Sequence, residues 1–390
     1  MVIKLVREAV AENPIAALSD PVICDWLGRR YRNIFLTEAS EDPSALRAAK
    51  VPTPIQFIDR RSSRELLAAR FLKGVNRQES QADLPPAAEP KLSGSTLLFV
   101  PSLMTGLLPV MAFQSVWPRI EERFGIRILT ADVHPVRPSY QNVDDIKKAF
   151  DRGVGLDAYS EPVHGKSAKK PKDVILLGYS KGATDALTFL VENPQYRDRI
   201  RALVGWAPIF GGSYIADEID VRVDQLAEGE QPLSGPIVKM LRQIVPVVQA
   251  DRVSVRLDEY DVPGTVHDIT TDVRREYLAE HLEEISALGL PAFTVEGVTS
   301  LREVPYYQAM GVLQLNSHDK NNDMFLTVGQ TRLPIAHSNS LASFRGHHWD
   351  LAYDPFPWFS RMGSLNVDHK FARYPAMAAM LLFLAELGLV

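Results

Sequence analysis

Apolar runs of strand length recur along the middle of the chain: STLLFV ending at Val100, IRILTAD ending at Asp132, DVILL ending at Leu177 and IRALVGWAP ending at Pro208. Between them the apolar positions repeat with a helical period, in the amphipathic segment to Phe124 and again from about Lys181. Strands that are apolar on both sides, alternating with helices, predict a parallel sheet covered on both faces, an α/β fold. Upstream, from Met1 to about Arg77, short helical patterns such as RELLAARFLKGVNR surround one strand-like piece, PIQFIDR, and the lysines and arginines of the basic N-terminal helix read as a solvated face. The proline-bearing QESQADLPPAAEPKLSG that follows buries little and predicts a surface linker, with a boundary near Ser93.

After Tyr214 the rhythm changes. SGPIVKMLRQIVPVVQ and TTDVRREYLAEHLEEISALG read as amphipathic helices and DRVSVRLDEYDV as a strand or irregular connector, so 214–303 is expected to be a largely helical cap insertion. QAMGVLQLNS is expected to resume the alternation as a strand, followed by the polar loop HDKNND and a final helix after Tyr374. The resulting division is an N-terminal extension and linker over 1–92, a core over 93–213 and 304–390, and the cap between them. There is no internal repeat.

Composition narrows the class. The 390 residues are 46% hydrophobic and 23% charged, with 43 Lys and Arg against 48 Asp and Glu for a net charge of -5. That is enough apolar material for a large core, and no basic block suits a nucleic-acid backbone. The single cysteine, Cys24, permits no internal disulfide. The opening MVIKLVREAVAENP has none of the uninterrupted apolar centre of a secretory signal, and the tail AMAAMLLFLAELGLV is short for a membrane span and carries Glu386. A cytoplasmic protein with a buried C-terminal helix is expected; oligomeric state stays open.

The chemistry gathers around Gly178-Tyr179-Ser180-Lys181-Gly182, set between an apolar strand and a helix. A tight strand-to-helix turn presents a serine hydroxyl to the cleft, glycines on either side let strand and helix approach, and the helix N-terminus favours developing negative charge. Ser180 is therefore the candidate nucleophile, with Gly178 and Gly182 as its elbow. A serine needs a base, and the base needs a carboxylate. In the chain order serine, acid, histidine, Asp323 stands at the C-terminal edge of a late strand and His348 follows in GHHWDLAYDP. His347 ranks second and His369 third, with Asp319 the rival acid. His134, His164, His267, His281 and His337 default to surface or packing roles.

From about Leu97 onward these motifs resemble bacterial triacylglycerol lipases and serine esterases of the α/β-hydrolase superfamily. Asn322-Asp323-Met324-Phe325 is similar to their Asn-Asp-Gly-hydrophobic acid motif, His347-His348-Trp349-Asp350 to their Asn-His-Leu-Asp motif, and Gly212-Ser213-Tyr214-Ile215-Ala216-Asp217 to their Gly-Ser-x-x-Ala-Asp stretch. Pro101-Ser102-Leu103 replaces their His-Gly oxyanion turn, and the resemblance implies the backbone N–H groups of Leu103 and Lys181 as oxyanion donors. It also implies a calcium role for the aspartate at Asp350, which reads more simply as a loop-fixing carboxylate. Met104 and, in the cap, Ile237, Val238, Met240, Leu241, Ile244 and Val245 offer an apolar lining for an acyl pocket, or simple helix packing.

The expected activity is hydrolysis of a small-molecule or lipid carboxyl ester through an acyl-enzyme, with no cofactor or metal and with lipid contact confined to the periphery. An acyltransferase or thioesterase would use the same nucleophile. A binding module built on an inactive hydrolase core is the reading from a different class.

Overall fold

The strands form one eight-stranded sheet in the order β4-β3-β2-β1-β5-β6-β7-β8 in the computed structural model, which describes residues 2–50, 61–82, 84–227, 256–358 and 370–390. The strands are β1 Thr96–Val100, β2 Arg127–Thr130, β3 Gly155–Leu156, β4 Pro162–Val163, β5 Val174–Tyr179, β6 Ile200–Trp206, β7 Ala292–Val298 and β8 Ser338–Arg345. In this order the pairings from β2 across to β8 are all parallel, and the short β3 runs antiparallel to both its neighbours, β2 and β4. Burial of every residue of β1 and β5 explains why they read as continuous apolar runs.

The helices, in chain order, are α1 Val2–Glu12, α2 Pro14–Ser19, α3 Pro21–Glu41, α4 Pro43–Ala49, α5 Ser63–Phe71, α6 Arg77–Gln81, α7 Trp117–Phe124, α8 Ser139–Arg152, α9 Lys181–Glu192, α10 Tyr214–Ala227, α11 Val262–Asp268, α12 Thr271–Glu280, α13 Leu282–Ala287, α14 Ala309–Leu315 and α15 Arg373–Glu386. They divide the apolar residues between the two faces of the sheet. One core joins α8, α9 and α13 to the alternate side chains Leu98, Val100, Leu176 and Leu203. The other joins Leu97, Phe99, Ile175, Leu177 and Val204 to α3, α5, α7 and α15.

The N-terminal helices are thus part of the main core. Tyr31 donates its hydroxyl to the Ala376 carbonyl at 3.1 Å, and its ring meets Phe344 and Phe383 edge-on. Not every cation of these helices is solvated: Arg30 of α3 is 1% exposed and forked onto Glu386 of α15, with Nε to Oε2 at 2.7 Å. A buried guanidinium requires such a partner, and the carboxylate that breaks the apolar tail supplies it.

Two elements differ from the pattern-based reading. QAMGVLQLNS is mostly helical (α14), because Ala, Met, Leu and Gln favour helix, and the buried positions Gln308, Val312 and Leu315 follow its period. The segment expected to be cap as far as 303 instead contributes β7, paired between β6 and β8 inside the sheet. Glu296 disguises it. That carboxylate is 2% exposed and accepts hydrogen bonds from the Ser340 and Ser343 hydroxyls of β8 at 2.6–2.9 Å, so two strands that look polar neutralise each other. Cap residues Ile237, Val238, Met240, Leu241, Ile244 and Val245 lie outside the described residues, as do His369 and all of PIQFIDR.

Candidate active site

Ser180 sits between the last residue of β5 and the first of α9 with φ 55° and ψ -124°, a backbone conformation costly for a residue with a Cβ. It is held there by main-chain bonds: its N–H donates to Trp206 O at 3.0 Å, and its carbonyl accepts from Ala183 N at 3.1 Å and Ile209 N at 3.2 Å. The flanking glycines are steric necessities. A Cβ on Gly178 would stand 2.3 Å from Ala183 Cα, so strand and helix close up only without side chains there.

Asp323 and His348 reach the same point from the ends of β7 and β8. Asp323 follows α14 in a loop that returns to β7, where Thr299 N donates to Asn322 O at 2.8 Å and Gly297 leaves room for the Asp323 Cβ. His348 follows β8 directly, and its N–H donates to Asp323 O at 2.9 Å. The side chains then align. Ser180 Oγ is 2.8 Å from His348 Nε2, and His348 Nδ1 is 2.7 Å from Asp323 Oδ2. All three residues are buried, at 4%, 4% and 1% exposure. The second carboxylate oxygen, Oδ1, accepts from Phe325 N at 3.0 Å and Leu326 N at 2.8 Å, which fixes its orientation. An acceptor-only carboxylate facing Nδ1 assigns the proton to that nitrogen and leaves Nε2 to accept from the serine.

Met324 takes φ 80° at the position where the lipase acid motif carries glycine. The turn keeps its glycine geometry with a side chain in place. The imidazole itself is clamped by residues the sequence reading did not select: Tyr179 stacks on it with centroids 5.2 Å apart and donates its hydroxyl to His348 O at 2.9 Å, while Phe325 meets it edge-on. Tyr179 is inside the pentapeptide, but nothing in the motif distinguishes that position.

Of the other candidates, His347 turns away from Ser180 to Asp350, with Nε2 3.1 Å from Oδ1. Burial pushes the Asp350 carboxyl up to about 7, against the lowering influence of His347 and Arg373. Among the described residues no group of three His, Cys, Asp or Glu is arranged to hold a metal. Asp319 caps its own loop, accepting from Asn321 N at 2.8 Å.

Lys181 contributes the first peptide N–H of α9, one of the groups a helix leaves without an internal acceptor. Leu103 follows Ser102 in the loop after β1, and Met104 beside it adopts φ 65° and donates its N–H to Pro135 O at 3.0 Å. Ser102, Leu103, Met104 and Ser180 open onto one cleft with ≈ 640 Å³ of space not filled by atoms, part of it open to solvent. Its remaining walls are mostly apolar, with Leu108, Ile209, Ile215, Ala216, Ile219, Val266 and Ile269 prominent. The Gly-Ser-x-x-Ala-Asp stretch belongs to this wall: Ser213 Oγ donates to Phe325 O at 2.7 Å, Asp217 accepts from Thr271 N and Oγ1 at 2.7 Å each, and Ile215 and Ala216 face the cleft.

A mainly parallel sheet flanked by helices, with a strained serine turn after its central strand, defines the α/β-hydrolase fold. No protein-family model and no curated protein matches the chain. Among solved structures, the metagenomic carboxyl esterase MGS0156 is 18% identical, with TM-score 0.65 over 92% of this chain and 91% of that one. The mature Bacillus licheniformis lipase BlEst2 is 17% identical with TM-score 0.42 (68% of this chain, 89% of that one), and Staphylococcus hyicus lipase 11% with TM-score 0.45 (77% and 98%). The first of these likenesses carries the assignment of the fold.

Proposed function

We propose that this protein is a serine carboxyl-ester hydrolase. The observation that carries the reading is the unbroken line from Ser180 Oγ through the His348 ring to Asp323 Oδ2, with contacts of 2.8 and 2.7 Å. Support comes from the strained turn at Ser180 and from the likeness to a fold whose solved example is a carboxyl esterase.

In this mechanism His348 Nε2 takes the Ser180 proton as Oγ bonds to the ester carbonyl carbon, and the carbonyl oxygen becomes an alkoxide held by the N–H groups of Leu103 and Lys181. Asp323 holds the ring in the productive tautomer and offsets the imidazolium charge. Collapse of the tetrahedral species breaks the bond to the alkoxy oxygen, which leaves as the alcohol with the proton from His348. Water, deprotonated by the same nitrogen, then hydrolyses the acyl-enzyme and restores Ser180. The apolar walls around Leu108, Ile209 and Ile269 suit an aliphatic acyl chain.

The test is a series of p-nitrophenyl esters from acetate to palmitate, with Ser180→Ala as control. Hydrolysis should appear in the wild type and fall on the order of 10⁴-fold or more in the variant, since triad members act as a unit. Equal turnover by Ser180→Ala would reject the assignment.

A further inference from the structure

Lys181 does more in this fold than donate a peptide N–H. Its side chain is buried, 2% exposed, and its ammonium pairs with Asp185 Oδ1 at 2.5 Å, one turn along α9. The other oxygen of Asp185 accepts from Asn142 Nδ2 of α8 at 2.8 Å. That amide then brackets the main chain of His134: Oδ1 accepts from His134 N at 3.2 Å, and from Arg137 Nε at 3.1 Å, while Nδ2 also donates to His134 O at 3.3 Å. The next carbonyl, Pro135 O, accepts from Met104 N at 3.0 Å. A single file of hydrogen bonds therefore starts on the residue carrying one proposed oxyanion donor and ends one residue beyond Leu103, which carries the other.

Packing gives no reason for ions at this place. An apolar pair of similar volume would avoid the desolvation that a lysine and an aspartate both suffer inside a protein. What the polar file supplies is a fixed distance between two separate pieces of backbone, the α9 N-terminus and the loop after β1. That distance matters because oxyanion donors act over a narrow range of separations, and a shift near 1 Å costs about 100-fold.

We propose that Lys181, Asp185 and Asn142 are positioning residues that hold the N–H groups of Leu103 and Lys181 in register for the oxyanion. The proposal rests on the reading of Ser180 as an acyl nucleophile.

Two variants test it on the full chain. Lys181→Met with Asp185→Leu removes both charges while keeping the length and branching of the side chains; Asn142→Leu cuts the file elsewhere and leaves the ion pair in place. Each is compared with wild type in kcat and KM for p-nitrophenyl butyrate and in affinity for an alkyl trifluoromethyl ketone. Ser180 adds to that ketone through a new C–O bond, the Oγ proton passes to His348, and the carbonyl oxygen becomes the alkoxide that the two N–H groups hold. We expect kcat and ketone affinity to fall together, by about 10- to 100-fold, with KM within about twofold. The thermal midpoint of the double variant should stay near wild type, which a purely structural role would not combine with slow turnover. Wild-type kcat and ketone affinity in a folded sample of either variant would overturn the proposal. Fluorophosphonate labelling of the wild type separates the two levels: labelling with full activity in the variants sinks the positioning role alone, whereas failure to label Ser180 sinks the nucleophile and this role with it.

Discussion

A Cβ placed on Gly182 would lie 2.1 Å from the carbonyl oxygen of Val100, so the start of α9 rides directly on the end of β1. The contact brings the helix N-terminus and the loop after β1 together around Ser180. The first test follows from it. Gly182→Ala should force α9 off β1, lowering stability by about 1–3 kcal/mol as overpacking does. It should also slow ester turnover beyond what the lost stability explains, because Ser180 and the Lys181 N–H move with the helix. Urea denaturation and kcat measured on the folded fraction would check both effects; unchanged values would show that the contact relaxes without cost.

Much of the geometry around Ser180 is legible in the sequence because short local motifs carry it. The pentapeptide around Ser180 follows an apolar run and precedes a helical one, and the structure has β5 and α9 at those places. Asp323 and His348 were selected by chain order and motif, and they meet Ser180 in the folded chain. What was not legible depends on tertiary pairing. Glu296 made β7 read as part of a polar insertion until its partners Ser340 and Ser343 are seen on the neighbouring strand. The burial of Arg30 has no local signal, because its carboxylate lies 356 positions away. The clamp of Tyr179 and Phe325 on the His348 ring has no spacing that announces it.

The Arg30–Glu386 pair yields a second prediction, on stability alone. Arg30→Met should destabilise the protein by about 3–5 kcal/mol, since Glu386 would remain buried without its cation. The double change to Arg30→Met and Glu386→Leu should recover most of that loss, leaving without this donor the Pro85 carbonyl and Asn33 Oδ1, which accept from Arg30 Nη1 at 2.8 and 3.4 Å. Chemical denaturation of the three proteins decides it. A double variant as unstable as the single would show that the guanidinium matters for more than charge balance.

The third concerns acid. His134 is buried beside Arg256 and Arg137, and burial first, then those cations, lower its pKa from 6.5 to about 4. Above pH 6.5 the ring is neutral in both folded and unfolded chains, so stability there is independent of it. Between pH 6.5 and 4 the unfolded chain takes up a proton that the folded chain refuses, and stability falls as the pH falls. His134→Asn should flatten the stability profile in that window relative to wild type. Parallel profiles for the two proteins between pH 4 and 6.5 would remove His134 as the source.

The last prediction ties cleft shape to substrate length. Ala216 is 4% exposed, faces the cleft with Ile215 and Ile219, and stands on α10, whose first turn is fixed by the hydrogen bonds of Ser213 to Phe325 O and of Asp217 to Thr271. Because that turn is braced from two sides, a larger side chain at 216 has to grow into the cleft. Ala216→Phe should therefore leave acetate and propionate esters near wild-type kcat/KM and depress octanoate and longer esters by about 10- to 200-fold, the range that loss of one or two methylenes of pocket commonly spans. The contacts of His348 with Ser180 and Asp323 lie on other elements, so on the proposed function phosphonate labelling of Ser180 should be unaffected by the change. A uniform loss across all chain lengths would mean that the acyl group lies elsewhere, and a shift toward longer esters would place the alcohol group in this part of the cleft.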